Sequence, residues 1–259
     1  VAAERQIGSI LYPDSPNCVV FFGHHKCGSR FFRNQIFKQI ADIKGARLRK
    51  YEVASPPFKY SISEDLDICN MDFDRLGVEG PDVVLFSNAG ERSLAKVRDN
   101  ASEWLGVRVL RDPRQVLVSN YFHHKGDHQD VNEEAGWIWE QLVQDKPILR
   151  DLPEEEGLLY ELDNISKDII ENQLLANFDD PAVLTIKLED FSANPTQGLS
   201  DLAVFLKTPA IAGIDMARTG ANPDSGKWQN HFTSRLRRQF KERYGEALID
   251  LGYADDMDW

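Results

Sequence analysis

The sequence is poor in cysteine, with three in 259 residues. Cys18, Cys27 and Cys69 match neither a disulfide framework nor the spacing of a zinc site. This shortage indicates a reducing compartment, so we expect a cytoplasmic protein without disulfides. The chain begins with Val1 rather than methionine, so removal of an N-terminal segment stays an alternative.

Long apolar runs and an excess of positive charge are also missing. No run approaches the roughly 20 residues of a membrane span, so we expect no transmembrane helix. Lys and Arg number 30 against 42 Asp and Glu, a net charge of -12. This balance argues against nucleic acid as a partner, because such binding uses a broad basic surface. The charge does not exclude binding of an anionic small ligand, since a local basic cluster can still create a positive cleft.

Strand-like and helix-like segments alternate along the chain. The predicted strands are Cys18–Phe22, Leu48–Val53, Val83–Ser87, Val107–Leu110 and Ala182–Ile186. The predicted helices cover residues 30–42, 91–102, a segment capped by Asp112, 133–145, 158–176, 195–207 and 234–251. Such alternation predicts an α/β fold with a central, mainly parallel sheet flanked by helices. The length favours a single domain over residues 1–259.

The loop after the first predicted strand is rich in groups that bind phosphate. It reads His24-His25-Lys26-Cys27-Gly28-Ser29-Arg30 and leads directly into a helix. A helix N-terminus carries unsatisfied N–H groups and a positive dipole end, so the loop predicts a phosphate site. It is not a nucleoside-triphosphatase P-loop, because Lys26 precedes Gly28 and Gly-x-x-x-x-Gly-Lys-Ser/Thr is absent.

Two further segments carry polar groups at informative positions. Arg111-Asp112-Pro113-Arg114 follows a predicted strand, and Asp112 and Pro113 suit the start of a helix. Because ligands bind beyond the carboxyl ends of parallel strands, this loop and the loop of Lys26 share a crevice if their strands are neighbours. A third segment, Gly226-Lys227-Trp228, lies near the end.

In this order, the three segments resemble the sulfotransferases that use 3′-phosphoadenosine 5′-phosphosulfate (PAPS). Residues 119–123 (Ser-Asn-Tyr-Phe-His) and 188–195 (Leu-Glu-Asp-Phe-Ser-Ala-Asn-Pro) resemble two other stretches of that family. The resemblance covers residues 18–40 and 107–250. It implies a three-layer, P-loop-like sulfotransferase architecture with PAPS as donor, 3′-phosphoadenosine 5′-phosphate (PAP) as product and no metal. It also implies a small-molecule or carbohydrate acceptor with a hydroxyl or amine.

The resemblance assigns roles to individual residues. Lys26 would contact the 5′-phosphate and the bridging oxygen, and Arg111 and Ser119 would bind the 3′-phosphate. Phe31 stands where the family often has a Trp that stacks on adenine. The implied nucleotide-binding residues are Lys26, Cys27, Gly28, Ser29, Arg30, Phe31, Arg111, Ser119, Arg218, Gly220, Lys227 and Trp228.

The general base is the position where the sequence departs most from the family. Cytosolic members have a His where this chain has Asn88, and some carbohydrate-directed members use a Glu. The candidate bases here are His25, Glu91 and His123. A P-loop-type nucleotide or small-molecule kinase stays an alternative and predicts Mg²⁺ dependence, whereas sulfuryl transfer predicts activity in chelator.

A non-catalytic nucleotide-binding module is the other alternative, because Asn88 leaves the base unassigned. The acceptor and the oligomeric state cannot be read from the sequence, since a fold does not settle a substrate.

Overall fold

The computed structural model describes residues 15–50, 58–59, 76–126, 128–132, 137–215 and 227–259. The strands in chain order are β1 (Cys18–Phe22), β2 (Arg47–Lys50), β3 (Phe58–Lys59), β4 (Asp82–Phe86), β5 (Trp104–Leu110), β6 (Val131–Asn132), β7 (Trp137–Ile138) and β8 (Val183–Lys187). Five of them form the central sheet in the order β2-β4-β1-β5-β8, and β3, β7 and β6 form a small second sheet. All four pairings in the central sheet are parallel, which confirms the predicted topology.

Helices pack around this sheet. Helix α1 runs in three consecutive segments, Ser29–Phe31, the π-helical Phe32–Phe37 and Lys38–Lys44. The others are α2 (Glu91–Asn100), α3 (Pro113–Lys125), α4 (Glu140–Asp151), α5 (Glu154–Asp163), α6 (Ile165–Leu174), α7 (Leu188–Ala193), α8 (Pro195–Phe205) and α9 (Ser234–Asp250), with a 3₁₀ turn at Trp228–Asn230. Among the helices described, none combines the length and apolarity that crossing a bilayer requires.

The central strand β1 separates two apolar layers. Its five residues are all buried, and neighbouring side chains point to opposite faces of a strand. Val19 and Phe21 pack in the cluster formed with α1 and α8, whereas Val20 and Phe22 pack with Leu94 of α2. A third cluster joins α3, α5, α6 and α9. The predicted three-layer arrangement is therefore confirmed.

The order of the strands brings the two charged loops together. Strand β1 pairs directly with β5, so the loops that follow them leave the same edge of the sheet side by side. The condition for the predicted shared crevice, that β1 and β5 are neighbours, is thus met. The predicted cap of α3 is confirmed too, because the Asp112 side chain accepts a hydrogen bond from the backbone N–H of Arg114 at 3.0 Å.

Two predicted helices were wrong in their bounds. The helix predicted over 133–145 begins only at Glu140, because Trp137–Ile138 forms β7 and Trp139 N–H bonds the Asp130 carbonyl at 2.8 Å. The helix predicted over 158–176 is interrupted at Asn164, whose side chain donates to the Tyr160 carbonyl at 2.7 Å. A side-chain amide that competes for backbone groups favours such a break.

Other bounds held more closely. The apolar stripe of Leu158, Leu162, Ile165 and Ile169 is buried as predicted. The predicted strand Leu48–Val53 is observed as β2, and residues 51–53 lie outside the described residues.

Replacing Phe21 with alanine should destabilise the fold strongly. The Phe21 ring is fully buried and lies 4.8 Å from the Phe37 ring and 5.9 Å from the Phe32 ring, centroid to centroid. Losing such a ring leaves a cavity that costs about 3–5 kcal/mol of unfolding free energy. Chemical denaturation measures this loss. Phe122→Ala is the matched control, since that ring is 43% exposed and its loss should cost far less. Equal losses would contradict the described packing.

Candidate functional site

The loop between β1 and α1 makes a tight turn with two residues in the left-handed region. Lys26 has a φ of 62° and Gly28 a φ of 73°. Glycine adopts this conformation freely, whereas a lysine there is strained. The Cys27 N–H donates to the His24 carbonyl at 3.2 Å, and the Ser29 hydroxyl donates to the same oxygen. These bonds hold the chain in the strained turn that precedes α1.

Gln173 of α6 joins this loop to the loop after β5. Its Oε1 accepts from the Cys27 thiol at 2.7 Å and from the Arg111 N–H at 3.1 Å, and its Nε2 donates to the Arg111 carbonyl at 2.9 Å. Gln173 is fully buried. Sequence reasoning missed it, although a glutamine four residues after Ile169 on a buried helix stripe was a usable signal.

The two cationic side chains of the predicted nucleotide site meet at the same edge. The Arg111 Nη1 donates to the Lys26 carbonyl at 3.1 Å, so the guanidinium lies directly against the loop that carries the ammonium group. Burial, and then the positive charge of Arg111, lower the pKa of Lys26 to about 8. Lys26 therefore stays mainly protonated near neutral pH. Burial raises the pKa of the Cys27 thiol, which makes it a hydrogen-bond donor rather than a nucleophile.

Replacing Gln173 with alanine should loosen both loops together. The buried Cys27 thiol and the Arg111 backbone lose their partners, and each unsatisfied buried group costs about 1–3 kcal/mol. We expect a drop of that order in unfolding free energy together with weaker binding of PAP. Gln197→Ala, which removes an exposed bond to Asp201, is the matched control. A stable Gln173→Ala protein with unchanged loops by NMR would contradict this role.

Two of the candidate bases lie near Lys26. The Nδ1 atom of His25 lies 3.0 Å from Asn120 Oδ1. An amide oxygen only accepts, so Nδ1 carries the hydrogen and Nε2 keeps its lone pair. Burial, followed by the charges of His124 and Lys26, lowers the pKa of His25 well below its usual range. Burial and then Lys26 lower the pKa of His123 to about 3.

The third candidate base, Glu91, occupies a different position. It begins α2 after β4, and its Oε1 accepts from the Asn177 N–H at 3.0 Å. Asn88, which stands where the family's cytosolic members have a His, is buried.

The remaining predicted nucleotide residues differ in their surroundings. Ser119 lies half-buried on α3, whereas Arg30 and Lys227 are exposed. Phe31 is buried and packs edge-on against Phe32 and Phe191. Their nucleotide roles stay predictions.

Trp228 is held by packing. The Arg114 guanidinium lies 4.2 Å above the Trp228 ring. The backbone N–H of Trp228 donates to Gln115 Oε1 at 3.1 Å. Arg218 and Gly220 lie outside the described residues.

The structure of this chain resembles solved structures of sulfotransferases. No family model and no curated protein matches the sequence. Mouse sulfotransferase SULT7A1, solved with PAP, superposes with a TM-score of 0.50 at 16% identity over 95% of this chain and 89% of that one. A sulfotransferase from Alicyclobacillus acidocaldarius gives 0.49 at 16% identity over 92% and 94%. The sulfotransferase domain of the curacin biosynthetic pathway gives 0.37 at 13% identity over 92% and 97%.

The likeness to the mouse enzyme concerns architecture. The chain has the sulfotransferase fold, with its parallel five-stranded sheet and flanking helices. At this identity the likeness identifies the fold alone, so activity has to be argued from the residues of the site.

Proposed function

We propose that this protein is a PAPS-dependent sulfotransferase that moves a sulfuryl group to a hydroxyl or amine of a small-molecule or carbohydrate acceptor. The observation that carries the proposal is the contact between the two charged loops. The Arg111 guanidinium bonds the Lys26 carbonyl at 3.1 Å, at the point where α1 begins. Two cations and a helix N-terminus at one edge of the sheet suit a ligand with separate anionic groups.

The donor set suits an anionic nucleotide in charge, and position 28 of the loop requires glycine. The net charge of the chain is -12, so two cations side by side at one edge of the sheet are a local exception that attracts an anion. Gly28 has a φ of 73°, and a Cβ there would lie 3.1 Å from Leu188 Cδ1. A side chain at position 28 would therefore be strained and crowded. Lys26, Gly28 and Ser29 would hold the 5′-phosphosulfate, and Arg111 with Ser119 the 3′-phosphate.

Lys26 has the properties that the reaction requires. When bound, PAPS supplies the sulfuryl group, and the bond from sulfur to the bridging oxygen of the 5′-phosphate breaks. Negative charge grows on that oxygen, so an ammonium aimed at it stabilises the transition state more than the ground state. The strained backbone of Lys26 is consistent with such a role, because strain of this kind gathers at functional sites.

A proton must leave the acceptor, and two histidines near Lys26 can take it. His25 and His123 are both neutral near physiological pH, since burial lowers the pKa of each, and the same shift makes each a weaker base than an exposed histidine. Asn120 fixes the tautomer of His25, which leaves Nε2 as its basic atom. Glu91 already accepts the Asn177 N–H, so we rank it behind the histidines.

The direct test is transfer of a labelled sulfuryl group. The chain is incubated with labelled PAPS and a panel of hydroxyl and amine acceptors, without Mg²⁺. We expect labelled product and an equal amount of PAP. Phosphoryl transfer from ATP that requires Mg²⁺, with no use of PAPS, would replace the proposal by a kinase. Tight PAP binding without transfer to any acceptor would indicate a non-catalytic nucleotide-binding module.

A further inference from the structure

Three histidines, two of them four residues apart and the third about 100 positions earlier, converge at the carboxyl edge of the sheet. His25 lies in the loop after β1, His124 near the end of α3 and His128 just beyond it. One ring nitrogen of each lies within 4.8 Å of the others. We propose that these three side chains bind one transition-metal dication of the zinc type. The proposal stands independently of sulfuryl transfer.

Hydrogen bonds orient all three rings in the same way. His25 Nδ1 faces Asn120 Oδ1 at 3.0 Å, His124 Nδ1 faces Glu161 Oε1 at 2.9 Å, and His128 Nδ1 faces the Gln129 carbonyl at 2.6 Å. Each partner is an oxygen that accepts, so each Nδ1 carries a hydrogen and each Nε2 keeps a lone pair. Metal-binding histidines are held in this manner, with the second nitrogen donating to a carboxylate, carbonyl or amide oxygen.

One ring nitrogen of the cluster is buried without a partner among the described residues. His124 is fully buried, and its Nε2 has no hydrogen-bond partner within the described parts of the chain. Leaving such an atom buried and unsatisfied costs free energy. A metal ion bound at Nε2 would remove that cost.

A buried carboxylate supplies the charge that a dication needs. Glu161 is 1% exposed and accepts from His124 Nδ1 at 2.9 Å and from the Ser166 hydroxyl at 2.7 Å. Ser166 also accepts from Asn120 Nδ2 at 2.9 Å, so one hydrogen-bonded network supports both His124 and His25. A carboxylate behind a histidine raises its strength as a ligand and offsets the charge of the metal.

The ligand set selects the class of metal. Three imidazoles suit zinc and its neighbours, whereas Mg²⁺ and Ca²⁺ prefer oxygen ligands. Zinc bound by nitrogens at about 2.0–2.1 Å holds them about 3.3 Å apart in a tetrahedron. Binding therefore draws the rings together by at most about 1.5 Å from the 4.8 Å limit. His128 lies beyond the end of α3, where a small shift of the chain is easiest.

Three protein ligands leave a fourth position open for water or another small ligand. With the metal bound, the His25 lone pair is occupied. The proton acceptor in the proposed sulfuryl transfer is then His123 or Glu91 rather than His25.

The experiment is a metal titration of the full, untagged chain after its metals have been removed with a chelator. Zn²⁺ is added in competition with a chromophoric chelator, and Co²⁺ is added separately as a spectroscopic probe. We expect one Zn²⁺ per chain, the intense visible absorption of tetrahedral Co²⁺, and no competition from Mg²⁺ or Ca²⁺.

Variants locate the site. His128→Ala should weaken Zn²⁺ binding by more than about 100-fold, and Glu161→Gln, which acts through His124, by about 10- to 100-fold. His128 is only partly buried, so its replacement should fold normally, as circular dichroism can verify. His231→Ala is the matched control, because His231 bonds Glu154 outside the cluster and its loss should change nothing.

Either of two results would overturn the proposal. One is a folded wild-type chain that takes up no Zn²⁺ or Co²⁺. The other is Zn²⁺ binding that is equally tight in the folded His128→Ala protein. PAP binding measured on the same samples separates this outcome from that of the proposed function.

Discussion

Replacing Lys26 with alanine should lower the turnover of sulfuryl transfer by about 100- to 1,000-fold, the usual effect of removing one donor from a developing oxyanion. PAP affinity should change by less than about tenfold, since the interaction is made mainly in the transition state. The expectation rests on the position of Lys26 at the N-terminus of α1, with a φ of 62° and a pKa lowered to about 8 by burial and then by Arg111. Steady-state kinetics with PAPS and calorimetry with PAP separate the two quantities.

Lys38→Ala is the control for this result. Lys38 belongs to α1, the helix that follows the Lys26 loop, but its side chain is 60% exposed and pairs with Asp42 at 2.8 Å. An exposed pair of this kind contributes little, so turnover and stability should hardly change. A Lys26→Ala protein that keeps wild-type turnover, or that loses nucleotide affinity and turnover in equal measure, would contradict the assigned role.

Replacing Arg111 with alanine should act on binding instead. We expect PAP affinity to fall by about 30-fold or more, since losing one partner of a hydrogen-bonded charge pair costs about 2–5 kcal/mol. Adenosine 5′-phosphate lacks the 3′-phosphate, so its affinity should change by less than about threefold, well below the tenfold that 1.4 kcal/mol represents. Comparing the two ligands in the wild-type and variant proteins isolates the contact with the 3′-phosphate.

The control here is Arg98→Ala. Arg98 pairs with Asp180 at 2.6 Å on the far end of α2, where its side chain is 47% exposed. Its removal should leave the affinity for both ligands unchanged. If Arg111→Ala weakened PAP and adenosine 5′-phosphate equally, Arg111 would be a loop support, through its bond to the Lys26 carbonyl, rather than a phosphate ligand.

Local signals allowed much of the fold to be predicted. A few positions of sequence are enough to predict β1, from its five apolar residues, and the start of α3, from Asp112-Pro113. Alternation of such elements predicts a parallel sheet, and the sheet in turn predicts a crevice after β1 and β5. The sulfotransferase fold itself was predicted only from the resemblance of the charged segments to that family.

Only the spacing of His124 and His128 in the candidate metal site is visible locally, and the other contacts of the site join distant parts of the chain. His25 and Asn120 are 95 positions apart, and His124 and Glu161 are 37 apart. The packing of α3 and α5 beside β1 brings these pairs of residues into contact. Residue spacing in a single sequence does not reveal that packing. The break at Asn164 has a local cause, because its side-chain amide donates to the Tyr160 carbonyl four residues back. The short strand β7 was missed because one of its partners, β3, lies far away in the sequence.

The measurement that tests the central claim most directly is a calorimetric titration of the chain with PAP, beside one with adenosine 5′-phosphate. The two-cation site predicts one PAP bound per chain, at least about 30-fold more tightly than the nucleotide without the 3′-phosphate. Absence of heat with PAP, or equal affinity for the two nucleotides, would contradict a PAPS site built from Lys26 and Arg111.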